Sequence, residues 1–95
     1  MKKSFRRIDD MLQEVLRRYG LAHKVTQYRL IELWPEIVGQ RIAEVTNAEK
    51  IDNDILYVKV KSMTWRTELL YQKHLIVKKI KDKLGSDVIS DIRFH

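Results

Sequence analysis

The 95-residue sequence predicts an α+β domain: N-terminal helices, a small three-stranded mixed sheet, and one long crossover helix packed on one face of it. Three observations carry this. From Ile55 to Lys61 the residues alternate, with Leu56, Val58 and Val60 on one side and Tyr57, Lys59 and Lys61 on the other, as a half-buried strand requires. At Ser62 the period changes, and Trp65, Leu69, Ile76, Ile80 and Leu84 recur at the three-and-four spacing that lays one stripe down a helix. Helical patterns dominate upstream of the first strand signal, giving the order α-α-α-β-β-α-β.

The elements follow in order. Ile8, Met11, Leu12, Val15, Leu16 and Tyr19 fall at helical spacing and Gly20 stands where a C-cap glycine is expected, so a first amphipathic helix is predicted from Ser4 to Tyr19. Residues 1–4 are expected to be flexible. A second helix is predicted from His23 to Trp34, with Val25, Tyr28, Ile31 and Trp34 on one face. Pro35 biases the preceding residue away from helical geometry, which ends that helix at Trp34. Proline suits a first helical turn, so a third helix is predicted from Pro35 to Glu44, burying Ile37, Val38 and Ile42. Gly39 lies inside it without a propensity reason, which suggests close backbone packing.

Val45 to Ile51 fits a short strand, and Asp52-Asn53-Asp54 is a turn signal leading into the strand at Ile55, antiparallel to the first. Either Ser62 or Thr64 can cap the long helix, which continues to Leu84 and stops at Gly85. Trp65 opens its apolar stripe and is expected in the core; Trp34, at the predicted helix break, is expected in the core or at its margin. A last strand from Asp87 to Phe94 puts Val88, Ile92 and Phe94 on one side and Asp91, Arg93 and His95 on the other. Repeats, low-complexity tracts and linkers are absent, so residues 1–95 are expected to form one domain.

Composition narrows the function. There is no cysteine, which removes disulfides, thiolate metal sites and cysteine nucleophiles and suits a reducing compartment. The start, M-K-K-S-F-R-R, leads into I-D-D-M-L-Q-E rather than an apolar run, so no signal peptide is expected. Nor does any apolar run approach the ~20 residues of a membrane helix. A soluble, cytoplasmic protein without a membrane partner is expected. Phosphate-cradling glycine motifs are missing, and His23, His74 and His95 lack the spacing of a metal site. No enzyme, cofactor or metal is expected.

Net charge is +6, which favours an anionic partner such as nucleic acid or a lipid surface. Residues 1–54 hold ten Lys+Arg against nine Asp+Glu, a net +1; residues 55–95 hold nine against four, a net +5. The basic excess belongs to the strand-helix unit. Tyr57 among Lys59 and Lys61, joined by Arg93 if the last strand shares the sheet, makes a feasible stacking-plus-phosphate surface for a single strand. Arg66, Lys73, Lys78 and Lys79 make a cationic rim on the long helix that suits phosphate contacts. Solvated faces explain the same charges, and that alternative stays open.

Three stretches together have a further meaning: W-P-E-I-V-G at 34–39, L-Y-V-K-V-K-S-M-T-W-R-T-E-L-L at 56–70, and G-S-D-V-I-S-D-I-R-F at 85–94. In combination they resemble the bacterial DciA family, and the likeness extends from the first helix to the C-terminus. The resemblance implies a KH-like fold and a non-enzymatic role in DNA replication: recruiting or loading the replicative helicase DnaB while binding DNA, single-stranded or forked DNA being expected. It implies fold-defining roles for Trp34, Ile37, Val38, Gly39, Trp65, Glu68 and Leu69. Many members carry an additional extension that contributes to DNA and helicase contacts, whereas this sequence stops at His95. The G-x-x-G loop of nucleic-acid-binding KH modules is also missing, which directs attention to the basic helix and the open sheet face. An RNA-binding module and a protein-interaction domain without nucleic-acid binding are the alternatives.

Overall fold

The structure is a computed structural model that describes the backbone of residues 2–95 and the side chains of residues 7–95. The expected flexibility at residues 1–4 lies outside the described side chains. Four helices and three strands follow the expected order: α1 (Lys2–Arg18), α2 (Ala22–Val38), α3 (Gln40–Ala43), β1 (Thr46–Asp52), β2 (Ile55–Val60), α4 (Met63–Leu84) and β3 (Asp91–Phe94).

β2 is the middle strand of the sheet, antiparallel to β1 and parallel to β3. Antiparallel neighbours need only a tight turn, and Asn53 and Asp54 supply one with φ of 50° and 61°, the doubly left-handed geometry that matches strand twist. A parallel neighbour needs a crossover, and α4 is that crossover. Its cap is Ser62, whose Oγ accepts a hydrogen bond from the Trp65 amide at 3.2 Å; Thr64 lies within the helix. The inner face of β2, Leu56 and Val58, is fully buried against the Leu69, Ile76 and Ile80 stripe of α4. Each such side chain contributes ~1.5–3 kcal/mol by leaving water.

Several boundaries differ from those the sequence predicts. Pro35 does not end a helix: α2 runs through it to Val38. Its ring is exposed, so the missing N–H falls on the solvent side of the helix, while Leu30, Trp34, Ile37 and Val38 on the core side are buried both before and after it. Burial of Ile37 and Val38 offsets the one missing backbone bond. What remains of the predicted third helix is the single turn α3. The buried face of α2 also differs, since Val25 and Tyr28 are exposed and Gln27 and Leu30 take the inward positions. Trp65 is half-buried rather than core, because it sits in the first turn of α4 where the covering layer ends. β3 is shorter than predicted: Val88 and Ile89 are consecutive and both buried, which a one-sided strand cannot achieve.

Gly39 separates α2 from α3, and its explanation is conformational rather than steric. It has φ 87° and ψ 161°, a region essentially reserved for glycine, while a Cβ placed there would meet nothing within 4 Å.

Two polar clusters join the layers. Trp34 Nε1 donates to Thr46 Oγ1 at 2.9 Å, and that hydroxyl donates to the Ile42 carbonyl at 2.7 Å, tying α2, α3 and β1 through buried atoms. Buried Gln27 directs its two amide hydrogens to Asp54 Oδ1 at 2.7 Å and the Val88 carbonyl at 3.0 Å. His23 Nε2 donates to the same Asp54 oxygen at 2.9 Å; His23 and Gln27 are two donors converging on one acceptor. These bonds hold the Asp54 carboxyl below its ordinary pKa, with His23 the first cause and Gln27 the second.

α1 is the exception to packing. Among the described residues it contacts no element but α2, and Ile8, Met11, Leu12, Val15 and Tyr19 are 46–71% exposed. The molecule is accordingly elongated, 51 × 27 × 19 Å.

Gly39→Ala is expected to cost ~1–3 kcal/mol through backbone strain alone, read as a lower urea midpoint with an unchanged slope; an unmoved midpoint refutes the conformational account. Because the Asp54 pKa is depressed on folding, its contribution is present above the unfolded value and lost as pH falls through the folded one. Stability of the native chain should therefore decline on acidification below about pH 4, and Asp54→Asn should flatten that part of the curve in pH-dependent melts.

Candidate nucleic-acid interface

Burying the inner face of the sheet fixes what the outer face presents. Tyr57 on β2 stands opposite Arg93 on β3 and Lys50 on β1, and Lys59 stands opposite Asn47. Lys50 reaches this face because the β1 register shifts between Ala48 and Lys50. The extra residue, Glu49, breaks the alternation, so Glu49 and Lys50 are both exposed. The Lys50 ammonium lies 5.1 Å from the centre of the Tyr57 ring, within cation–π range. Lys50 is the residue that sequence alternation alone misses, since only the bulge turns it toward Tyr57.

Two acidic groups on this side have partners, whereas Asp52 of β1, opposite Ile55, has no ion pair among the described residues. Asp91 Oδ1 is 2.6 Å from Lys73 Nζ, and the Lys73 ammonium is the first cause of the lowered Asp91 pKa. Glu49 Oε1 is 2.7 Å from His95 Nε2. Lys50, Lys59 and Arg93 have no ion pair among the described residues. The open face thus offers three cations without an ion pair around an aromatic ring, with Asp52 an unpaired acid toward the β1–β2 turn. A shallow groove of about 700 Å³ runs past Lys50, Tyr57, Arg93 and His95 to Leu70 and Lys73 of α4.

The eight residues singled out from sequence do not form one surface. Tyr57, Lys59 and Arg93 share the open sheet face. Lys73 sits at its β3 edge, with its charge committed to Asp91. Lys61 is exposed just beyond β2, where its amide donates to the Val45 carbonyl at 2.9 Å, and Arg66 is half-buried in the first turns of α4. Lys78 and Lys79 are exposed on α4, which covers the opposite face of the sheet, and neither is ion-paired among the described residues. Lys83, their neighbour, reaches Glu36 at 3.6 Å. Chemically the arrangement can hold phosphates and stack a base; among the described residues no group of three or more metal-ligating side chains occurs. No helix of the described residues is long and apolar enough to cross a membrane.

Fold and surface define a small basic α+β domain with a cationic, aromatic open sheet. The family model described as "Dna[CI] antecedent, DciA" matches residues 7–94, and the chain belongs to the DciA family. Curated relatives carry the name UPF0232 protein. That of Corynebacterium glutamicum (strain R) is 27% identical over 86 residues, 90% of this chain and 48% of the relative. The Rhodococcus jostii (strain RHA1) protein is 27% identical over 79 residues, 83% of this chain and 42% of the relative. One from Mycobacterium tuberculosis (strain ATCC 25618 / H37Rv) is 25% identical over 81 residues, 85% and 43% respectively. The chain therefore spans about half the length, or less, of the curated relatives it matches.

Removing the Lys73 charge should separate its role as an ion-pair partner from any role in binding. Lys73→Gln is expected to raise the Asp91 pKa toward its ordinary value, followed by carboxyl NMR titration, and to leave nucleic-acid affinity within about threefold, because a paired ammonium releases little counterion on binding.

Proposed function

We propose that this protein is a non-enzymatic adaptor of DNA replication that binds single-stranded or forked DNA and recruits or loads the replicative helicase DnaB. Membership of the DciA family supports the replication role. The observation that carries DNA binding is the open sheet face, where Tyr57 is surrounded by Lys50, Lys59 and Arg93, none of them ion-paired among the described residues, while Asp91 is paired with Lys73. Cations spaced around a ring bind phosphates without reading sequence, and the ring stacks a base. Lys61 and Arg66 extend that path toward the start of α4. Lys78 and Lys79, on the other side of the molecule, make a second contact for a forked substrate.

A protein-interaction domain is the second reading, favoured by the uncovered apolar stripe of α1, since large exposed patches mark partner surfaces. An RNA-binding module would use the same sheet face; competition between matched DNA and RNA oligomers separates it from the first.

Fluorescence anisotropy across a salt series, with and without purified DnaB, tests the proposal. Charge reversal of Lys59 and Arg93 together should weaken single-strand binding and reduce the log-log salt slope by roughly 1.4, about 0.7 for each phosphate that is no longer neutralised. The Lys78→Glu/Lys79→Glu pair should weaken forked DNA more than a plain single strand. Absence of binding to both DnaB and a fork would sink the reading, whereas DnaB binding without any salt-sensitive DNA binding would select the protein-interaction role.

A further inference from the structure

A second groove lies away from the sheet face, where the α2–α3 turn approaches the start of α4. It encloses about 640 Å³, within the range of small-ligand sites. Val38, Ile42 and the half-buried ring of Trp65 supply its apolar part, and Arg41, Glu68 and Gln72 supply polar groups at its rim. The Arg41 guanidinium carbon stands 5.5 Å from the centre of the Trp65 ring. That separation is wider than a tight stack and slightly short of the space for an inserted flat group, since two stacking steps of ~3.4 Å require roughly 7 Å. Arg41 is exposed and on a flexible side chain, so a shift of roughly 1–2 Å opens the slot, a small motion for an exposed side chain.

We propose that this groove is a nucleobase pocket, in which one unpaired base of a single strand inserts between the Trp65 ring and the Arg41 guanidinium. Both planes stack on any base, and Arg41 adds a cation beside the strand. Glu68 and Gln72 stand at the rim, where the Gln72 amide donates to the Glu68 carboxylate at 2.9 Å. The carboxylate is an acceptor for the exocyclic amines of cytosine, adenine or guanine, and the Gln72 carbonyl is a second one. Acidic Glu68 disfavours a bare phosphate in the same place, which argues for a base rather than an anion as the occupant. Gly39 at the groove's edge leaves open space where any other residue would carry a Cβ, so a strand can approach the backbone there.

The pocket rests on the single-strand-binding reading but fails separately from it. The test compares a single-stranded DNA oligomer with an oligomer of the same length and phosphate count bearing abasic sites, by anisotropy at one salt concentration. Native protein should prefer the base-bearing strand on the order of tenfold. Trp65→Ala should cut that preference severalfold, to what stacking on Tyr57 alone supplies, while leaving the salt slope unchanged, and Trp65→Phe, which keeps a stacking ring and guards against a folding defect, should lose less of it. Quenching of tryptophan emission by the base-bearing strand should vanish in Trp65→Phe, because Trp34 is buried. Equal affinity of the native protein for both strands, or an undiminished preference in Trp65→Ala, overturns the pocket while the cationic sheet face stands. If neither strand binds, the pocket and the DNA-binding reading fall together.

Discussion

The rest of the structure depends on the burial of one face of β2. Leu56 and Val58 are fully sequestered against Leu69, Ile76 and Ile80, and because side chains alternate along a strand, that burial obliges Tyr57 and Lys59 to face away. A slip of one residue would exchange the two sets and put lysine into the core. The charges on the open face are thus held in place by the same free energy that makes the core. Parallel pairing with β3 through the α4 crossover then sets Arg93 beside Tyr57.

Around that unit, polar contacts are used for joining rather than for surface decoration. The Trp34–Thr46–Ile42 relay and the Gln27–Asp54–Val88 contacts each connect different elements of the fold. Among the described residues no buried side-chain nitrogen or oxygen is left without a partner, which is how a small core tolerates a buried glutamine and threonine without the desolvation cost of an unpaired group. Ion pairs at the sheet edge do a different job. Lys73 offsets the Asp91 charge beside Lys50, Lys59 and Arg93, and the His95 ring holds the Glu49 carboxylate.

The two candidate surfaces share a design: an aromatic ring with a cation near it, Tyr57 with Lys50 and Trp65 with Arg41. Each lies at an interruption of regular structure. A bulge in β1 turns Lys50 outward, and the break at Gly39 between α2 and α3 leaves Arg41 over the first turn of α4. α1 adds a third, apolar surface on a helix that stands clear of the sheet. A domain in which the charged and apolar surfaces are separated in this way can hold a polyanion and a protein partner at the same time.

Local pattern by itself determined the element order, the antiparallel hairpin, the central strand and its inner face, and the long helix with its stripe, because two-residue and 3.6-residue periods are written directly in the spacing of apolar residues. It placed Tyr57, Lys59 and Arg93 on the open side for the same reason. Tertiary structure decided the rest. Pro35 reads as a helix end until one sees that Ile37 and Val38, beyond it, are buried. Gln27 reads as surface until Asp54 and Val88 meet its amide. Lys73 reads as a free cation until β3 brings Asp91 beside it, and Trp65 reads as core until the layer covering the first turn of α4 is found to end there. Those outcomes depend on contacts between residues up to 61 positions apart, and no local period records them.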